Sequence, residues 1–209
     1  MNKLLNVLLD DVRKQKKMCL FLFIILIMGL IFGSVFVGVL DEHDKGVVAN
    51  HIFSFFEHIK KGTIDYGLAL KNSLSSNLLF VLIIWLLGIS VIGIPIIIFI
   101  LFIKGFIVGF VVSAMIINYN FLGVFAAFSY IFPHIIITSL TLLVLCCYSL
   151  QLSFNLFWSV IQRRTINFKN IINNYFFVLL LCIIIMFLAS LLEVYVSPYI
   201  IRFFLLFVK

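Results

Sequence analysis

Long apolar runs separated by short polar segments dominate the chain. The longest, Leu78 to Ile117, reads LLFVLIIWLLGISVIGIPIIIFILFIKGFIVGFVVSAMII and holds one charge, Lys104, and one proline, Pro95. A single bilayer-spanning helix needs roughly 20 apolar residues, so this run predicts two spans folded at Gly88–Pro95. Repeating the reading along the chain predicts five spans: 18–40, 77–92, 94–117, one within 123–157, and 175–196. The second could begin as early as Lys71. Pro133 suits the first turn of a helix, so 121–132 is expected as a short interfacial helix before the fourth span proper. The fold class is therefore all-α: a polytopic membrane helical bundle forming one integral membrane domain over 1–209, with short amphipathic helices.

Composition agrees. The 209 residues are 65% hydrophobic and 11% charged, against roughly 25% charged in soluble domains. Membrane lipid is the implied solvent. The net charge of +7 does not point to nucleic acid, because the cations sit beside apolar runs without interleaved stacking aromatics. The first apolar run, Met18 to Leu40, exceeds the roughly 7–15 residues of a signal-peptide core and is expected to remain as a signal anchor. Lys3, Arg13, Lys14, Lys16 and Lys17 precede it, which predicts a cytoplasmic N-terminus. Five spans then put Arg163, Arg164 and Lys169 inside as well, with loop 41–73 and the C-terminus outside.

Within loop 41–73, Val48, Ile52, Phe55, Phe56 and Ile59 recur at helical spacing. They predict an amphipathic helix that lies on the membrane, covers the bundle or docks a partner. The tail Ser197–Lys209 has an interfacial composition.

The polar and small residues inside the spans are the candidates for function. Gly29 and Gly33, and Gly105, Gly109 and Ser113, are spaced four apart, which lets helix backbones approach closely in lipid; helix packing is their expected role. Lys104 near mid-span is expensive there and is by default a functional-site hypothesis. Snorkelling, or bonding to carbonyls freed at the Gly88–Pro95 turn, are the structural readings. Glu193 would pair with Lys104 only if the third helix were tilted or broken. Asn77, His134, Thr138 and Gln151 are expected to make interhelical hydrogen bonds. His43, His51 and His58 fix no third ligand, and Cys19, Cys146, Cys147 and Cys182 lie in apolar segments without CxxC spacing, so neither a metal site nor a disulfide framework is predicted. Motifs of the GxxxxGK[ST], HExxH and GxSxG type do not occur in the sequence, and no nucleotide or other cofactor is implied.

The stretch WLLGISVIGIPIIIFILFIKGFIVGF, Trp85 to Phe110, resembles the stage II sporulation protein M family, integral membrane proteins of endospore-forming bacteria. Lys104-Gly105 and Gly109, Pro133-His134, Glu193 with Pro198, and MGLIFGSVF in the first span carry the resemblance over nearly the whole chain. One departure stands out: many members have Pro-His-Gly followed by a glutamate, where Ile135 and Thr138 stand here. The resemblance implies a non-enzymatic scaffold for engulfment at the sporulation septum, in the mother-cell membrane. It also implies two peptidoglycan-degrading partners, sporulation proteins D and P. A transporter or channel component with a polar path near Lys104 is the alternative; self-association is left open.

Overall fold

The computed structural model describes the main chain of residues 16–62, 65–130, 134–162 and 168–206. Seven α-helices and a five-residue π-helical turn account for most of these segments: α1 (Lys16–Val39), α2 (Glu42–Lys61), α3 (Tyr66–Gly88), α4 (Gly93–Tyr130), α5 (Ile136–Gln162), α6 (Phe168–Leu191), the π turn Leu192–Val196 and α7 (Ser197–Leu206). Five stretches are long and apolar enough to cross a membrane: Lys16–Val39, Tyr66–Gly88, Gly93–Asn118, Ile136–Ser159 and Ile172–Arg202. The basic N-terminal segment, Pro133 and the pair Arg163–Arg164 lie outside the described residues.

Two span boundaries differ from the sequence expectation, the start of the second and the end of the fifth, while the third span ends at Asn118, one residue from the expected 117. The second span begins at Tyr66 rather than near Asn77, because the Asp65 carboxylate accepts from the Leu68 N–H (3.1 Å) and caps the helix there. Residues 66–73 therefore belong to a membrane helix, not to the loop. The third helix runs on to Tyr130, but not straight. A Cβ at Gly123 would overlap the Met115 carbonyl oxygen, although eight residues of straight helix span about 12 Å. The chain must turn sharply between them, so that 123–130 doubles back. The fourth span starts at Ile136, within the expected 123–157 and after the separate segment expected before it. The fifth is extended by the π turn directly into α7, so the described part of the tail continues the helix of the span.

Neighbouring contacts fix the helix directions. Trp85 stacks on Tyr175 while Asn77 meets Ser190 and Ser73 meets Glu193, so α3 and α6 are antiparallel. By contrast, α1 and α4 run parallel. A Cβ at Gly105 would overlap the Leu26 carbonyl oxygen, one at Gly109 that of Leu30, and one at Gly29 or Gly33 that of Phe102 or Phe106. Side chains are missing on both faces of this seam, so backbone packs on backbone, the approach that small residues permit in lipid. Ser34 Oγ donates to the Gly109 carbonyl (3.2 Å) and Ser113 Oγ to the Ser34 carbonyl (3.1 Å). Phe32–Phe102 and Phe36–Phe106 ring contacts at 5.9 and 5.5 Å flank the seam.

The main core joins α1, α3, α4, α5 and α6 around Leu22, Ile84, Leu101, Leu145 and Met186, all fully shielded. A second core lies at the opposite end from Lys16, where Ile52, Phe56 and Ile59 of α2 pack on Val37, Ala114, Met115, Ala127 and Ile201. Of the three roles open to α2, covering the bundle is therefore observed for its apolar stripe. Arg202 Nε donates to the Ile59 carbonyl (3.2 Å), binding the last turn of α2 to α7. Gly62, at φ 68°, ends that helix in the left-handed region.

Candidate functional site

Polar side chains from four membrane helices meet in the half of the bundle nearer α2. Asn77 of α3 is buried; its Nδ2 donates to Ser190 Oγ of α6 (3.0 Å) and, at the long limit of 3.5 Å, to Ser73 Oγ. Ser73 Oγ in turn donates to Glu193 Oε2 at 2.6 Å. Such a short contact is characteristic of a hydroxyl on a carboxylate. Buried Ser197, at the start of α7, contacts His134 Nδ1 (3.3 Å), which is also buried. Lys104 of α4 completes the group, with its Nζ over the Phe80 ring at 5.4 Å from the centroid.

Local helix distortions set this geometry. Pro198 has no N–H, and the chain accommodates it with the π turn just before it. There the Ser197 N–H reaches back five residues to the Leu192 carbonyl. With Ser197 committed to Leu192 and Pro198 unable to donate, the Glu193 carbonyl is left without a helical donor. The wide turn also directs the Glu193 side chain towards α3. His134 lies in a second short π-helical stretch, 134–135, immediately before α5. Distortions of this type recur at functional sites. The signal for Glu193 was its glutamate-to-proline spacing; Ser73 and Ser190 carried none, because isolated serines in a helix do not reveal which neighbour they face.

Lys104 makes no hydrogen bond to the carbonyls of the 88–95 turn; its Nζ lies over the Phe80 ring instead. Its charge interacts with that of Glu193, and both groups act electrostatically on His134. Even so, no ion pair joins Lys104 and Glu193. The candidate residues of three spans are thus gathered around one locus without a direct charge–charge contact. The seam residues Gly29, Gly33, Gly105, Gly109 and Ser113 run along the other face of α4 against α1. Thr138 departs from the expected interhelical bond: its Oγ1 donates to the carbonyl of Ile135, just before the start of its own helix (3.1 Å).

A second polar group lies towards the other end of the bundle and is structural in character. Tyr175 Oη donates to the Trp85 carbonyl and contacts Ser149 Oγ, both at 2.8 Å. Ser153 Oγ bonds to the carbonyls of Gly88 and Ser90 (2.9 and 3.0 Å). A Cβ at Gly88 would strike Tyr175 Oη, so this glycine makes room for the network. These bonds fasten the α3–α4 turn to α5 and α6. They satisfy carbonyls that a helix end leaves open.

Five apolar helices, a buried polar locus on distorted turns and a glycine seam define a multi-pass α-helical membrane protein. Within that class, the family described as Stage II sporulation protein M matches residues 21–198, from the first span through the Glu193–Pro198 turn. The chain belongs to this family and is a sporulation-related membrane protein. No curated protein and no solved structure matches it.

Proposed function

We propose that the protein is a non-enzymatic scaffold of engulfment, which recruits and holds peptidoglycan-degrading partners of the sporulation protein D and P type at the septum. Family membership over residues 21–198 is the observation that carries this reading. Two further features support it. Ser73 and Asn77 of α3 bond to Glu193 and Ser190 across helices rather than forming a nucleophile–base arrangement. The spans also leave broad apolar surface outward, as on α1 with Leu20, Phe32 and Val35, which suits contact with lipid and with helices of membrane partners. The N-terminus would be cytoplasmic and the α2 layer external, following the lysine and arginine bias.

Photo-crosslinkers placed on the exposed residues Phe53 and Phe55 of α2 in sporulating cells test the reading. Capture of the two hydrolases, together with their loss from the septum on gene deletion, is the expected result. Normal engulfment and unchanged partner localisation in the deletion strain would exclude it.

The gathering of Lys104, His134 and Glu193 favours a second reading, a transport component with a polar path. Under that reading Lys104→Ala and Glu193→Gln abolish function. Under the scaffold reading both variants fold, reach the membrane and support engulfment.

A further inference from the structure

Sulfur gathers at one place in the main core. Cys146 and Cys147 of α5 and Cys182 of α6 are buried there, and Cys19 of α1, half-buried, packs against the same cluster. Two of these thiols touch. Cys19 Sγ and Cys147 Sγ lie 2.6 Å apart, between residues 128 positions apart in the chain. An S–S bond measures about 2.05 Å, so small side-chain rotations close the gap. The glycine seam holds α1 to α4; the sulfur contact holds its first turns to α5. Among the described residues no group of three His, Cys, Asp or Glu gathers to hold a metal, so the chemistry open to the pair is that of a dithiol.

Access is asymmetric. Lys16 and Lys17, both exposed, open α1. Cys19 follows three residues after Lys16, about 5 Å along the axis, and so stands close to the aqueous edge. Cys147 is 1% exposed and is reached through Cys19. With the N-terminus cytoplasmic, as proposed above, this edge faces a reducing compartment, where disulfides are usually transient and redox-sensing.

We propose that Cys19 and Cys147 form a reversible redox pair, a dithiol at rest and, on oxidation, a disulfide that clamps the first span onto α5. The oxidant is a low-molecular-weight disulfide, RSSR. Cys19 gives up its proton and its thiolate attacks one sulfur of RSSR; the oxidant S–S bond breaks, and the departing RS⁻ takes up a proton as RSH. Cys147 then loses its proton and attacks the Cys19 sulfur of the mixed disulfide, displacing the second RSH. One S–S bond has formed and one has broken. The two cysteines have lost two electrons and two protons, and the oxidant has gained both. The pair is independent of the scaffold reading, because it joins two spans of this chain whatever partner the protein holds.

The full chain in detergent, treated with 2,2′-dithiodipyridine and then denatured in a maleimide, tests the proposal. The four thiols of the sequence are expected to fall to two, with a peptide map linking Cys19 to Cys147, and dithiothreitol should restore all four. Cys146→Ala and Cys182→Ala keep the link, whereas Cys19→Ser abolishes the loss of thiols. A disulfide closing so long a loop constrains the unfolded chain, so the oxidised protein should unfold about 5 °C or more above the reduced one. A pyridyl adduct left on Cys19 without a link to Cys147 would overturn the pair. So would four free thiols after treatment, a map joining other cysteines, or a loss of thiols that persists in Cys19→Ser. Equal unfolding midpoints for the oxidised and reduced chains would overturn the clamp.

Discussion

At the residue scale, the glycines of the α1–α4 seam differ sharply from their neighbours. A Cβ at Gly105 meets backbone of α1, which cannot move aside as a side-chain end can, whereas a Cβ at Gly38 meets nothing within 4 Å. Gly105→Leu should therefore separate the two helices and cost about 2–3 kcal/mol, in the range for overpacking a tight core. Gly38→Ala should be neutral or stabilising by up to about 1 kcal/mol, through helix propensity. Unfolding midpoints in detergent, compared for the two variants, check both. The seam was legible in the sequence because spacing by four places small residues on one helix face. The Ser73–Glu193 and Asn77–Ser190 bonds were not. Which residues meet across two helices depends on their rotation about their axes, and in an apolar span with little amphipathicity nothing in the pattern fixes that rotation.

Among the elements, the π turn Leu192–Val196 and the α2 cap bear on function. Pro198→Ala would supply the missing N–H, and the helix could then continue with ordinary four-residue bonds. One residue of register change turns a side chain by about 100°, carrying Glu193 away from Ser73. The expected result is loss of reactivity between cysteines introduced at 73 and 193 in the Pro198→Ala background, compared with efficient crosslinking where Pro198 is retained. At the other element, Gly62→Ala places a Cβ at φ 68°, 2.6 Å from the Arg202 guanidinium. It should cost about 1–2 kcal/mol of local stability and loosen α2. Faster limited proteolysis near residue 62, with the spans left intact, reports that release. The amphipathic stripe of α2 could be read from Val48, Ile52, Phe56 and Ile59; the surface it covers could not. That surface includes Ala127, which reaches α2 only because 123–130 folds back; Pro133 set 121–132 apart as a separate segment, but nothing in the local pattern fixed the direction in which it folds.

For the whole molecule, alternating spans place Lys16 and α7 at opposite ends of the bundle, as an odd number of crossings requires. A fluorescent protein fused before residue 1 should fluoresce in the cytoplasm, and alkaline phosphatase fused after residue 209 should be active. The reverse pair of results would invert the proposed orientation. The five crossings were legible because hydropathy reports length directly; their lateral order was not, since lipid-facing and helix-facing apolar residues look alike. The parallel seam also has a consequence for biogenesis. Antiparallel neighbours such as α3 and α4 can close as a hairpin soon after synthesis, but α1 must wait for a mate far along the chain. Ser34 and Ser113, bonded across the seam, are 79 residues apart. During translation α1 therefore enters the bilayer unpaired, its glycine face open to any passing helix, until α4 arrives. An insertase or chaperone that shields this face would govern the yield of assembled protein, and nascent chains stalled before residue 113 would be the ones most prone to capture by the wrong neighbour.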